Sequence, residues 1–355
     1  MQRLLLIDGN SLFHRAYHAL PPLTDKNGEM ANAVFGFSNM LLKAIGEVKP
    51  DYIACAFDTK APTFRHIEFE KYKAQRVAPP PDLYPQLPKV KKVLDAFGIP
   101  YFEKEGYEAD DIIATIAVRA TKPSVIAISS ETREKQSKKK NQIASSSFDK
   151  LRTPRNDKVV DQVIILSGDR DILQLVDGNI KAQMPGWNLT TTTLFGRKEV
   201  IEKYGIEPRQ MVDYKSLTGD PSDNVPGVAG IGPKTACWLL NEYGSFENMY
   251  KNINFLPPKI AQKLATDSEQ AALAKKLATI VTDAPITLRM NECLCANFDT
   301  KGLKDGFEKL GFKSLIKRLD SDDSKENSLL RQLADSEGQA KGKKEKEKNQ
   351  QLVLL

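Results

Sequence analysis

Nine carboxylates stand in this 355-residue chain where apolar runs give way to polar loops: Asp8, Asp58, Glu108, Asp110, Asp111, Asp169, Asp171, Asp220 and Asp223. Each alone is an ordinary cap or turn residue, because a short acidic side chain satisfies free backbone amides. Gathered in one cleft they repel: two like unit charges 4 Å apart cost about 4 kcal/mol at an effective dielectric near 20. Such a cluster requires cations. No His or Cys stands beside the acids at ligand spacing. All-oxygen donors select hard ions, Mg²⁺ or Mn²⁺, and this many acids can hold two or more. Two such ions ~3.5–4 Å apart activate water and stabilise a leaving oxygen, which is the chemistry of phosphodiester hydrolysis.

For the acids to converge, the chain must bring them to one edge of a common frame. Arg3–Ile7 and Tyr52–Phe57 read as apolar strands, each followed by or ending at an aspartate, with an apolar-periodic helix over Ala33–Val48 between them. Helices are predicted at Lys89–Phe97 and from about Glu108 to Ala120, with an extended piece at Pro100–Glu103 and a strand at Gln162–Leu166. The second helix opens on acids, which its dipole favours by ~0.3–1 kcal/mol per group. Alternating strands and helices predict an α/β domain with a mainly parallel sheet, and ligands of such sheets gather outside the carboxyl ends of the strands. Lys122–Asp161 loses periodicity and reads as a mobile surface insertion, with Val125–Ile128 as an alternative strand. Beyond about Gly186 the pattern is helical, at Arg197–Tyr204, Pro208–Leu217 and Pro233–Tyr243 and onward to Leu319. Ser321–Gln350 has a disordered composition.

Net charge is +6, from 52 Lys and Arg against 46 Asp and Glu. Most of the excess lies in Glu131–Lys158, so gross charge says little about partners. Lys60–Lys92 is more telling, a local basic stretch that could attract phosphates. No apolar run approaches the ~18 residues of a membrane span, and Leu4–Ile7 is too short for a signal-peptide core. Four cysteines without a Cys-x-x-Cys pair fit reduced thiols, so a cytoplasmic protein is expected.

Six segments carry a family resemblance: Leu-Leu-Ile-Asp-Gly-Asn (5–10), Phe-Asp-Thr-Lys-Ala-Pro-Thr-Phe-Arg (57–65), Tyr-Lys-Ala-Gln-Arg (72–76), Gly-Tyr-Glu-Ala-Asp-Asp (106–111), Gly-Asp-Arg-Asp (168–171) and Thr-Gly-Asp-Pro-Ser-Asp-Asn-Val-Pro-Gly (218–227). Together they resemble the 5′-3′ exonuclease domain of bacterial DNA polymerase I, within the flap endonuclease family, over about residues 1–320 apart from the insertion. The resemblance implies a PIN-like α/β core over 1–185. It places a helical arch at about 62–97 and an insertion at about 122–158, followed by a helical helix-three-turn-helix DNA-binding domain over 186–320 and a tail over 321–355. It assigns Asp8, Asp58, Glu108 and Asp110 mainly to a first metal, and Asp111, Asp169, Asp171, Asp220 and Asp223 mainly to a second. The implied substrates are 5′-flap or branched duplex DNA and RNA–DNA primer junctions, cut by a monomer in a bacterial, nucleoid-associated setting.

Within the segment that resembles the arch, Arg65, Tyr72, Lys73 and Arg76 offer cations for flap phosphates and, in Tyr72, an aromatic face for a base, worth ~1–3 kcal/mol. On a helix Lys73 and Arg76 share a face and could hold the scissile phosphate. Gly227 to Ala236 reads as a glycine-rich hairpin entering a helix. There Gly227, Gly230, Gly232, Lys234 and Thr235 would grip duplex phosphates, and the family resemblance adds a bound K⁺. The terminal Gln351-Leu352-Val353-Leu354-Leu355 resembles a sliding-clamp docking peptide, whose contacts would come from Gln351, Leu352, Leu354 and Leu355. Two departures stand out, the insertion and the missing polymerase, and the second suggests a stand-alone nuclease. The alternatives are a non-catalytic structure-specific DNA-binding protein, which would gain by losing the acids, and a PIN-type ribonuclease.

Overall fold

A computed structural model describes residues 1–121, 160–186, 191–295, 298 and 300–321. Strand β1 (Arg3–Asp8) is flanked by β2 (Tyr52–Ala56) and β4 (Gln162–Leu166), with β3 (Tyr101–Phe102) beyond β2 and β5 (Ile180–Pro185) and β6 (Thr192–Phe195) beyond β4. All pair in parallel except β6, which runs antiparallel to β5. The order β3-β2-β1-β4-β5-β6 reverses direction at β1, so the carboxyl ends of β1 and β4 border the crevice where such sheets take their ligands.

Successive residues of β1 point to opposite faces, and both faces are covered. Leu4 and Leu6 face the helix α5 (Ala109–Thr121) through Ile112, Ile113 and Ile116. Leu5 and Ile7 face α1 (Gly9–Ala19), α2 (Asn32–Val48) and α4 (Leu87–Phe97), where Phe13, Phe37, Leu41 and Phe97 are fully buried. Each such side chain contributes about 1.5–3 kcal/mol. Residues 9–19 follow β1 without a break because Asp8 caps their first turn.

The segment expected as a helical arch is built differently. Phe64–Glu68 forms a five-residue helix, α3, followed by consecutive turns over 70–75, three prolines at 79–81 and a 3₁₀ turn at Tyr84–Gln86. Pro79–Pro81 interrupt any helical run, since proline lacks the amide donor. The helix that follows, α4, belongs to the core, through Val90, Val93, Leu94 and Phe97.

The remaining helices are α6 (Arg197–Tyr204), α7 (Met211–Thr218), α8 (Pro233–Tyr243), α9 (Phe246–Lys251), α10 (Pro258–Thr266), α11 (Ser268–Ala278), α12 (Thr300–Leu310) and α13 (Lys313–Ser321). Two expected boundaries move. The sheet ends at β6, so the α/β unit runs to residue 195 rather than 185. Phe298, Leu303, Phe307, Phe312, Leu315 and Leu319 pack back on the α1–α2–α4 side of the sheet, so the last helices of the expected second domain belong to the core of the α/β unit. The expected insertion and the charged tail with its terminal Gln351, Leu352, Leu354 and Leu355 lie outside the described residues.

Candidate active site

Asp8 ends β1 and is nearly buried. Its Oδ1 accepts the Ser11 amide at 2.9 Å and its Oδ2 the Ser167 hydroxyl at 2.6 Å, which joins the ends of β1 and β4. Asp58, just beyond β2, accepts the Ala109 amide at 2.7 Å and so fixes the start of α5 to the sheet. Glu108 and Asp110 flank that start. Asp169 caps the 3₁₀ turn Arg170–Leu175 and accepts the Asp171 amide at 2.9 Å. Asp8, Asp58, Glu108, Asp110 and Asp169 line one cleft of about 760 Å³, so Asp169, expected with the second group, lies with the first.

Burial, aided by Asp58 and Asp169, pushes the Asp8 carboxyl up to about 7 despite the hydrogen bonds from Ser167 and Ser11. Asp110 is driven well above its ordinary range, by burial first and then by the charges of Asp169, Asp8, Glu108 and Asp58. Asp58 and Asp169 are raised too, chiefly by burial. Burial and mutual repulsion thus disfavour the ionised form of all four. An all-oxygen donor set under this strain fits a hard divalent cation, which would stabilise the ionised forms.

A second group lies alongside. One carboxylate oxygen each from Asp171, Asp220 and Asp223 lie within 4.8 Å of one another. Asp171 rides on the 3₁₀ turn, whereas Asp220 and Asp223 sit in the hairpin between α7 and α8. Lys215 of α7 pairs with Asp171 and, at 2.6 Å, with Asp220. Burial alone would raise Asp220, but Lys215 and the Ser222 donors outweigh it and hold the carboxyl below its usual range. Gly227 shapes this hairpin: a Cβ there would lie 2.3 Å from the Gly219 backbone nitrogen, and Gly219 itself has φ +76°. Close backbone approach accounts for glycine at 227.

The basic segment ties the two groups together. The Tyr72 hydroxyl, with one proton to donate, lies between Asp223 at 3.0 Å and Glu108 at 3.3 Å; Lys73 Nζ lies 2.9 Å from Glu108 and 3.8 Å from Asp223; Arg76 pairs with Asp223 at 2.7 Å. Lys73 and Arg76 are held by turns rather than a helix, Lys73 with φ +56°, yet both still line the cleft. Burial opposes the charge of Lys73, but Glu108 and Asp223 more than offset it and its ammonium stays protonated. Tyr72 departs from expectation. Its ring is 4% exposed and edge-on to His66, which leaves no open face for a base.

Two further expectations are corrected. Asp111 is fully buried. Its Oδ1 accepts from Arg65 Nη2 and Val281 N, and its Oδ2 from Arg65 Nη1 and Glu108 N, all at 2.8–3.0 Å. With every favourable position taken, it has no oxygen to offer a metal. Arg65 spends its other donors on the Leu277 and Thr279 carbonyls at 2.9 Å and cannot reach DNA. Removing either partner of such a pair costs about 3–5 kcal/mol.

Gly230, Gly232 and Lys234 are exposed at the start of α8, whose first amides have no side-chain cap, with Thr235 partly exposed beside them. Gly230 has φ +74°. The cleft is also lined by Asn10, the last residue of the first motif, and by Ser11, His14, His18 and Tyr84, none of them among the expected site residues. Asn10, His14 and His18 recur every fourth residue, the one-face spacing that could have revealed them.

Family models match two stretches of the chain: a 5′-3′ exonuclease N-terminal resolvase-like domain at residues 3–140 and a 5′-3′ exonuclease C-terminal SAM fold at residues 206–301. The chain belongs to the 5′-3′ exonuclease family. DNA polymerase I of Caldicellulosiruptor bescii is 38% identical over 319 residues, covering 89% of this chain and 33% of that protein. DNA polymerase I of Bacillus subtilis is 36% identical over 322 residues, covering 90% and 32%. The chain thus spans about a third of the length of these relatives. The exonuclease fold recurs in the T5 D15 protein co-crystallised with metal ions, with TM-score 0.58 and 17% identity over 88% of this chain and 98% of that one. It recurs again in the bacteriophage T5 D15 flap endonuclease complexed with DNA and metal ions, with TM-score 0.57 and 18% identity over 87% and 100%. Among the described residues no helix is long and apolar enough to cross a membrane.

Proposed function

We propose that this chain hydrolyses phosphodiester bonds at the 5′ ends and 5′ flaps of duplex DNA, including RNA-primed junctions, with divalent ions, Mg²⁺ or Mn²⁺. The observation that carries the reading is the convergence of five carboxylates from the ends of β1, β2 and β4 and the start of α5 in one cleft, beside the Asp171–Asp220–Asp223 group. Asp8, Asp58, Glu108, Asp110 and Asp169 would hold one ion, and Asp171, Asp220 and Asp223 another. When bound, such ions supply a water acidic enough to attack and a Lewis acid for the leaving oxygen.

The chain's own residues do the rest. Lys73 and Arg76, on the cleft wall, would orient the scissile phosphate and offset its developing charge. Tyr72 keeps Glu108 and Asp223 at fixed separation. The uncapped start of α8, with Gly230, Gly232, Lys234 and Thr235, supplies amide donors and positive dipole for a duplex backbone phosphate. A DNA-binding protein without catalysis would bind better without these acids, which favours the hydrolytic reading.

The test is a cleavage assay on 5′-flap DNA, nicked duplex and single-stranded RNA, with Mg²⁺ or EDTA. Metal-dependent release of the flap is expected. Cleavage of RNA alone, or flap release undiminished in EDTA, would overturn the proposal.

A further inference from the structure

Residues 277–286, from the last turn of α11 into the segment beyond it, cross α5 and the 3₁₀ turn as a strap gripped by side chains along most of its length. Arg65 donates to the Leu277 and Thr279 carbonyls, and Gln174 donates to the Ala278 carbonyl at 3.0 Å and accepts the Ile280 amide at 3.0 Å. Asp111 accepts the Val281 amide at 2.8 Å, and Thr115 accepts the Ala284 amide at 3.0 Å. Arg119 donates to the Ala284 and Ile286 carbonyls at 3.0 and 2.9 Å. Asp111, Thr115 and Arg119 are spaced by four, so they form one stripe along α5.

What the strap joins is specific. The stripe belongs to the helix whose start carries Glu108 and Asp110, and Gln174 belongs to the turn that carries Asp169 and Asp171. At its other end the strap continues from α11, whose Ala274 and Leu277 pack with Val225 of the Asp220–Asp223 hairpin and with Tyr72. On α11, Lys275 pairs with Asp213 of α7 at 2.7 Å. The first carboxylate group lies wholly on the α/β unit. The second is divided, with Asp171 on that unit and Asp220 and Asp223 on the helical one.

The geometry points to the 277–286 strap as the device that sets the register between the two units, with Thr115 and Arg119 as positioning residues for the divided carboxylate group. The inference rests on the metal-dependent reading above, and it also recasts Asp111 as the head of this ladder. Loosening the strap leaves the first group intact and spoils the second.

Thr115→Val and Arg119→Met, and the two together, remove strap contacts made one and two turns along α5 from Asp111 while keeping side-chain bulk. Mn²⁺ binding to the full chain is measured by calorimetry without DNA, alongside single-turnover flap cleavage and flap affinity. The double variant is expected to keep its first Mn²⁺ affinity and its flap affinity. Its second Mn²⁺ site should weaken about tenfold, the scale of lost outer-shell support, and its cleavage rate should fall with it. Restoring Arg119 in the double variant should recover part of both. Unchanged isotherms, or equal weakening of both sites together with lowered thermal stability, would overturn the inference. Two-step Mn²⁺ binding by a wild type that cuts no flap would sink the functional proposal alone, since the isotherms still judge the strap.

Discussion

Tyr72 shows how a residue of the expected type can sit in the expected place and do something else. Its buried ring cannot stack on a base, but its hydroxyl spans Glu108 and Asp223. Tyr72→Phe keeps the ring and removes the span. It should lower single-turnover flap cleavage about tenfold, equivalent to ~1.4 kcal/mol and within the range of a single hydrogen bond, with flap affinity unchanged. Full activity in the phenylalanine variant would instead support an apolar role for the ring. Asp8, Asp58 and Asp169 were legible because each follows an apolar strand, and Glu108 and Asp110 because they open a helix; Asp220 and Asp223, in a loop between helices, stood out only through their motif. The roles of Asp111 and Arg65 were not, because the partners that saturate them, Val281 N and the Leu277 and Thr279 carbonyls, are backbone groups far along the chain and carry no side-chain signature.

At the scale of elements, the hairpin that presents Asp220 and Asp223 depends on two glycines in backbone contact. Gly227→Ala drives a Cβ into the Gly219 backbone, where nothing flexible can yield. It should destabilise the fold by about 1–3 kcal/mol and abolish the second Mn²⁺ site, read by thermal melting and calorimetry. A neutral melting temperature with intact metal binding would contradict this. Elsewhere, Asp25 closes the turn before α2, accepting the Asn27 and Glu29 amides at 2.9 and 3.1 Å, and pins it to α4 through Lys89 at 2.7 Å. The Lys89 hydrogen bond, acting against burial, holds its carboxyl below the usual range. The stabilisation is therefore present above the unfolded carboxyl's pKa, near 3.9, and lost as pH falls through the lower folded value. Asp25→Asn should melt below wild type at pH 5–7, with the gap narrowing below about pH 4. A gap that does not narrow at all as pH is lowered below 4 would count against the pairing. Strands β1, β2 and β4 and helix α5 were readable from periodicity. The arch was not, since the turns over 70–75 are set by tertiary contacts with Asp223, Pro221 and Asn224 rather than by local pattern.

For the whole molecule, the sheet's reversal at β1 and the hairpin between α7 and α8 bring acids as far apart in the chain as Asp8 and Asp223 to one region. Helices α12 and α13 close back on the α/β unit, a return that composition did not reveal because their apolar stripes look like those of any second domain. A duplex held at the start of α8 is bound through its phosphates, so affinity should fall linearly with salt on logarithmic axes. Lys234→Ala should reduce that slope by about one, without sequence preference; an unaltered slope would place the duplex elsewhere. The central claim is that these dispersed carboxylates bind divalent cations. The most direct measurement is anomalous scattering from crystals soaked in Mn²⁺. The account predicts density bounded by Asp8, Asp58, Glu108, Asp110 and Asp169, with further density at Asp171, Asp220 and Asp223. Crystals whose Mn²⁺ peaks avoid both groups, or that show none, would contradict it.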